Sequence, residues 1–440
     1  MHTLEQLHNG SLAGATRLQL SCGLTEFPRE IFELADTLEI LDLSGNALTC
    51  LPDDLPRLRR LRILFCSNNR FSVLPAMLGA CAQLTMIGFK SNRISEVPAT
   101  AFPAALRWLI LTDNRIGTLP ATIGACAQLQ KLMLAGNELT ELPPQLAACT
   151  ALELLRIAAN RLSALPPWLL TMPRLAWLAY AGNPVSAVEE AAAGPAAGAI
   201  GWHQLTLAHI LGAGASGVIH QAQWRQAGQA RAVAVKLFKG AITSDGLPAC
   251  ELRACISAGA HPNLIAVLGE LRDHPHGVQG CVMALIDPAF ASLAGPPSLE
   301  SCTRDVYASS QRFALAALLG IAAGIAAAAQ HLHRRAIMHG DLYAHNIRHS
   351  DQGQALLGDF GAASLLAPGP QATALQRLEV RAFGVLLGEL LARCDGGDGG
   401  TAAVLNSLAQ LQHDCVQANV AARPLFADIA RRITACHVPQ

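Results

Sequence analysis

Asp341 and Asn346 stand five residues apart in His339–Asn346, written HGDLYAHN, and a third candidate, Asp359, follows in Gly358–Gly361, written GDFG. These side chains suit phosphoryl transfer from ATP. That reaction needs a carboxylate to orient the acceptor hydroxyl, and oxygen ligands for the magnesium that bridges the phosphates. Asp341 has the chemistry for the first task, Asn346 and Asp359 for the second. Either short pattern alone is weak, but the two together at this spacing are selective.

Upstream residues supply the matching parts. LGAGASGV places Gly212, Gly214 and Gly217 between Leu211 and Val218. Three such glycines also occur in dinucleotide-binding turns, but there a helix follows. Here the β-prone run VIHQAQW follows, then a second strand, AVAVKLF, carrying Lys236 between Val235 and Leu237. Glu251 lies in ACELRACISAGAHPNL, and Met283 in GCVMALIDP. The whole set resembles the protein kinase family. The resemblance implies ATP and magnesium (Mg2+) as cofactors. Lys236, paired with Glu251, would hold the α- and β-phosphates, and Asn346 and Asp359 the metal. The glycines would form a hairpin lid, with Leu211, Val218 and Ala234 against the adenine. Met283 would be the gatekeeper, and Ala284–Ile286 the hinge. Asp341 would be the catalytic carboxylate.

The chain also departs from that family. Gly340 stands where an Arg usually binds a phosphorylated activation loop, so activity is not expected to wait on such phosphorylation. Tyr343 replaces the usual Lys of Ser/Thr kinases, and His345 is the nearest substitute. Only about twenty residues separate Asp359 from the helical run LEVRAFGVLLGEL, with no Ala-Pro-Glu. Glu379 takes the place of a buried Asp, and Arg423-Pro424 matches a late Arg-Pro pair. The expectation is a protein kinase acting on Ser/Thr, with Tyr open. The alternatives are a nucleotide-binding pseudokinase scaffold and a kinase-fold enzyme acting on a small molecule.

The elements ahead of this region are repetitive. Asn46, Asn69, Asn92, Asn114, Asn137, Asn160 and Asn183 recur at intervals of 23, 23, 22, 23, 23 and 23. Each closes a pattern such as LEILDLSGN or LQKLMLAGN, and Leu-Pro follows most copies. This resembles the leucine-rich repeat family. Each repeat should give one short strand with inward Leu and an Asn that bonds turn backbone. The concave face reads as apolar and is the expected surface for a protein substrate or regulator, with Phe65, Trp108, Met133, Arg156 and Trp177 as candidates. The other occupants are the kinase-like domain itself and a second copy of the chain, by self-association.

The predicted fold class is therefore an α/β leucine-rich-repeat solenoid followed by an α+β bilobal protein-kinase-like domain. Residues 1–14 form an N-terminal cap and 15–187 about eight repeats. Residues 188–200 form a linker breaking at Gly194-Pro195, and 201–440 the kinase-like domain. Of 440 residues, 15 % are charged and the net charge is zero, which argues against nucleic acid as a partner. The thirteen Cys lack paired spacing and suit a reducing compartment. The N-terminus lacks a signal-peptide pattern. The apolar run Phe313–Ala329 reads as a buried helix, not a membrane span, and His331 and His333 near that helix's end as packing residues. A cytoplasmic protein is expected.

Overall fold

The computed structural model describes residues 2–193, 198–214, 216–226, 228–395 and 399–436. The chain divides into two compact units, Met1–Met172 and Pro173–Gln440. The expected break at Gly194-Pro195 lies outside the described residues.

The first unit opens with α1 (Leu4–His8). Its Thr3 hydroxyl accepts from Gln6 N–H while the Gln6 side chain accepts from Thr3 N–H, satisfying two donors that a helix start leaves bare. Seven three-residue strands then pair in parallel. They are β1 (Arg17–Gln19), β2 (Ile40–Asp42), β3 (Ile63–Phe65), β4 (Met86–Gly88), β5 (Trp108–Ile110), β6 (Lys131–Met133) and β7 (Leu154–Arg156). Their central residues, Leu18, Leu41, Leu64, Ile87, Leu109, Leu132 and Leu155, form one column with no solvent exposure. No single repeat can bury its own apolar edge, so stacking is obligatory. The Leu-Pro prolines Pro75, Pro120, Pro143 and Pro166 each precede a 3-10 turn on the opposite side.

The repeated Asn side chains work as a ladder. Asn137 Oδ1 accepts from Ile116 N–H at 3.0 Å, and its Nδ2 donates to the Leu111 and Leu134 carbonyls, both at 2.9 Å. Substituting Asn137→Ala strands these buried backbone groups. The expected cost is about 3 kcal/mol, measured as a lower denaturant midpoint for the array.

On the concave face Phe65, Trp108 and Met133 are half-buried, whereas Arg156 is buried. Lys131 Nζ sits 4.1 Å from the Trp108 ring centre. Gly88 makes room for Phe65, because a Cβ there would lie 2.6 Å from its ring.

The second unit begins before the expected domain boundary. The strand of the last repeat, β8 (Trp177–Ala179), and the short helix α2 (Ala187–Ala192) belong to it, followed by β9 (Ala199–Gly201). The physical reason lies in the Trp177 and Tyr180 side chains, which bond within this unit to residues 342 and 365.

A six-stranded sheet follows, formed by β9 with β10 (Leu205–Ala213), β11 (Gly217–Gln226), β12 (Gln229–Phe238), β13 (Val267–Arg272) and β14 (Gly280–Ala284). Helix α3 (Pro248–Ala258) packs on it. The strand order is β10-β11-β12-β14-β13-β9, antiparallel except for β9 on β13. Ala222, Val233, Val235, Leu271 and Val282 form its core.

The helical part is built on α4 (Leu315–Arg334). It is the one helix among the described residues long and apolar enough to cross a membrane, yet 56 % of its most apolar window is buried inside the fold. Small residues permit that packing. A Cβ at Gly320 would lie 2.7 Å from the Gly353 carbonyl oxygen.

Short strands surround the segment His339–Asn346: β15 (Ala291–Ser292), β16 (Ile337–Met338), β17 (Ile347–His349), β18 (Ala355–Leu357) and β19 (Ser364–Leu365). Helices α5 (Pro370–Leu391), α6 (Gly399–Cys415) and α7 (Phe426–Ala435) complete the unit. The Pro- and Ser-rich stretch that follows β14 pairs through β15 with β17 and sends Asp305 to His345.

Candidate active site

A cavity of about 320 Å³ lies between the sheet and the helical part. Leu211, Gly212, Ala234, Met283, Ala284 and Ile286 line it, as do Lys236, Glu251 and Asp359. The glycines form the expected hairpin, with Gly214 N–H donating to Gly217 O at 2.9 Å. Gly217 admits no side chain, because a Cβ would lie 2.5 Å from the Leu237 carbonyl oxygen. Gly214 and Gly217 belong to the hairpin tip and not to the cavity lining.

One expectation is corrected here. Ile219, not Val218, covers the cavity. Ile219 stands directly opposite Lys236 across the β11–β12 ladder, and Val218 stands opposite Leu237. Side chains alternate between the faces of a sheet, so the residue facing Lys236 shares its side. Counting alternation from Lys236 would have found it. Cys281, Cys255, Val267, Phe290 and Arg348 also line the cavity. No sequence motif marks them.

Lys236 and Glu251 form a buried ion pair, and Lys236 Nζ lies 3.5 Å from Asp359 Oδ1. Burial alone would push the Lys236 ammonium down, but the Asp359 and Glu251 carboxylates reverse this and hold it above the ordinary lysine range. Burial pushes the Glu251 carboxyl up to about 7 against the opposing pull of Lys236. The pair draws α3 onto the sheet and aims an ammonium at the cavity.

The segment His339–Asn346 is tied by several hydrogen bonds. His339 is fully buried; its Nε2 lies 3.0 Å from the Gly358 carbonyl oxygen, and its Nδ1 accepts from Asp341 N–H. Asn346 Nδ2 donates to Asp341 Oδ2 at 2.8 Å and to the Asp341 carbonyl at 2.9 Å. Gly358 N–H donates to the Asn346 carbonyl, which joins this loop to Asp359. Asp359 adopts φ +59° and accepts from Gly361 N–H. Asp341, Asn346 and Asp359 are thus brought together.

Asn346 and Asp359 offer oxygen ligands only, which suits a hard cation such as magnesium. No cluster of three or more His, Cys, Asp or Glu able to hold a metal exists among the described residues. A metal carried in on phosphates needs only one or two protein oxygens, so the donor set fits.

Glu379, in α5, braces the loop from below. Its Oε1 accepts from Gly340 N–H and its Oε2 meets His333 Nε2, both at 2.7 Å. Burial would raise this carboxyl, but the His333 hydrogen bond and the neighbouring imidazoles hold it below the usual 4.5. A depressed folded-state value adds stability that is complete above the unfolded value and is lost as pH falls through the folded one. Glu379→Gln is therefore expected to cost about 3 kcal/mol at neutral pH. In denaturant melts that deficit should shrink below about pH 4.

Residues 205–383 match the family described as protein tyrosine and serine/threonine kinase, and residues 37–58 match the leucine-rich repeat. The order of the two matches is that of a leucine-rich repeat–kinase fusion. No curated protein matches it.

The departures of this kinase domain now have structural causes. Gly340 has φ +74°, and a Cβ there would lie 2.4 Å from Ala362 O and 2.6 Å from Leu178 O. Tyr343 is turned away from phosphate duty, since its ring stacks on Trp177 with centres 4.1 Å apart and planes 7° from parallel. Trp177, expected on an open concave face, is accordingly buried inside the kinase-containing unit. His345 is held by Asp305, whose two oxygens take its ring Nδ1 at 2.7 Å and its backbone N–H at 3.0 Å. Arg423 is buried and donates to three carbonyls, those of Pro173, Arg377 and Gln417. His331 and His333 are packing residues, bonded to the Ala258 carbonyl and to Glu379.

Proposed function

We propose that the chain is an ATP- and magnesium-dependent protein kinase of the cytoplasm, acting on Ser or Thr hydroxyls of a protein that the repeat array recruits. The observation that carries this reading is the convergence of the Lys236–Glu251 pair with Asp359, beside Asp341 held by Asn346. A scaffold that had shed catalysis would have no need to keep all five groups and their bonds. Thirteen cysteines without a disulfide suit a reducing compartment.

When bound, the nucleotide and its magnesium supply the transferable phosphoryl group and neutralise charge as it moves. Lys236, fixed by Glu251, orients the α- and β-phosphates. Asn346 and Asp359 would hold the metal through oxygen. Asp341 orients the acceptor hydroxyl and takes its proton as the new bond forms. The protein contributes positioning and fixed charge more than covalent chemistry.

The test is phosphate transfer from γ-labelled ATP with magnesium, followed by mapping of the labelled residues. Label on Ser or Thr supports the reading, and label on Tyr alone revises the acceptor. An ATP thermal shift that needs magnesium, without any label on protein, would favour the scaffold or a small-molecule acceptor, which the short stretch from Asp359 to Pro370 also suits.

A further inference from the structure

We propose that Trp177, Tyr180 and Glu190, contributed by the last repeat and its capping helix, are positioning residues of the kinase site that replace a phosphorylated activation segment. This deepens the kinase reading above and rests on it.

The three residues reach the three elements whose relative placement sets the catalytic geometry. Trp177 Nε1 donates to the Leu342 carbonyl at 3.0 Å, one residue from Asp341, while its ring covers Tyr343. Tyr180 takes the segment after Asp359. Its N–H donates to Ser364 Oγ at 3.2 Å and its hydroxyl to the Leu365 carbonyl at 3.0 Å. Glu190 takes α3. Its Oε2 accepts from Cys250 Sγ–H at 3.5 Å and pairs with Arg253 Nη1 at 3.4 Å, on the helix that carries Glu251. Glu190 Oε1 is fixed by Gly182 N–H and the Ser186 hydroxyl.

An activation segment switched by phosphorylation needs an accessible hydroxyl and a cationic receiver. Here no exposed hydroxyl lies between Asp359 and the start of α5, and no cation stands at position 340. Ser364 is the one hydroxyl residue from Asp359 to Gly369, it is 1 % exposed, and it already accepts from Tyr180. Gly340 stands where the receiving Arg would be, closed against the Leu178 carbonyl. Main-chain bonds and an aromatic stack therefore do permanently what an added phosphate would do on demand. Such a brace acts through the geometry of Asp341 and Glu251, so its loss should lower turnover more than nucleotide affinity.

The test uses the full chain. Trp177→Ala is expected to lower kcat about thirtyfold with KM for ATP within about twofold, because small misplacement of reacting groups is costly. Trp177→Phe, which keeps a stacked ring, should recover most of that loss. Should the alanine variant fail to fold, Tyr180→Phe, which removes one hydroxyl, carries the test with an expected kcat loss of about fivefold. Phosphatase treatment of the wild type should leave kcat unchanged. Unchanged or raised kcat in Tyr180→Phe, or loss of wild-type activity after phosphatase, overturns the proposal. If wild type transfers no phosphate at all, the kinase reading fails separately. Amide exchange over residues 337–346 then decides the brace: faster exchange in Tyr180→Phe, by about tenfold, supports it, and identical exchange overturns it.

Discussion

Asp341→Asn is expected to slow phosphoryl transfer about a thousandfold while ATP affinity stays within about twofold. The substitution keeps the shape of the side chain and removes its capacity to take a proton. Asn346 Nδ2, now bonded to Asp341 Oδ2 at 2.8 Å, can still bond to the amide oxygen of the variant, so the loop should hold its course. ATP affinity should survive because the cavity lining and the Lys236–Glu251 pair do not include Asp341. Single-turnover transfer with saturating ATP measures the chemical step, and a magnesium-dependent thermal shift measures binding. A variant with normal turnover would remove Asp341 from the mechanism and leave the scaffold reading in front.

Gly340→Ala is expected to destabilise the second unit by on the order of 4 kcal/mol, at the high end for one methyl group. Two costs add at this position. The backbone sits at φ +74°, where an L side chain is disfavoured by about 1–2 kcal/mol. The new Cβ would also press on two main-chain oxygens, Ala362 O at 2.4 Å and Leu178 O at 2.6 Å, and neither is a flexible side-chain tip that can swing aside. Gly340→Arg, which restores the residue usual in kinases, should be worse. Thermal melts read by tryptophan fluorescence would register the change, since Trp177 is the chain neighbour of Leu178. Wild-type stability in Gly340→Ala would mean that Leu178 gives way, and that the last repeat is loosely held.

Much of this arrangement was legible in the sequence, and the limits of what was legible have physical causes. Periodic features announce themselves: the Asn ladder and the column of inward Leu follow from spacing alone, because each repeat meets only its neighbours. The catalytic segment was legible for a similar reason, since Asp341 and Asn346 bond within one loop. Glu251 and Lys236 came from motif context, and strand alternation would have corrected Val218 to Ile219. The contact of Trp177 with Leu342 was not legible. It joins residues 165 positions apart through the shape of one indole. A Trp at a concave strand position is the same letter whether it faces a visiting protein or the chain's own catalytic loop. The burial of Arg423 among carbonyls, and the pairing of Asp305 with His345, escaped for the same reason. Both depend on tertiary neighbours that no spacing encodes.

The division of the chain at Met172–Pro173 bears on how such a protein can be inherited and rearranged. A recombination event that cut at the composition shift near Gly198 would deliver a kinase domain with Tyr343 uncovered and the Leu342 and Leu365 carbonyls without their donors. A cut just before Pro173 would carry Trp177, Tyr180 and Glu190 along with the catalytic loop they hold. By the bonds it makes, the final repeat belongs with the kinase elements as one heritable piece.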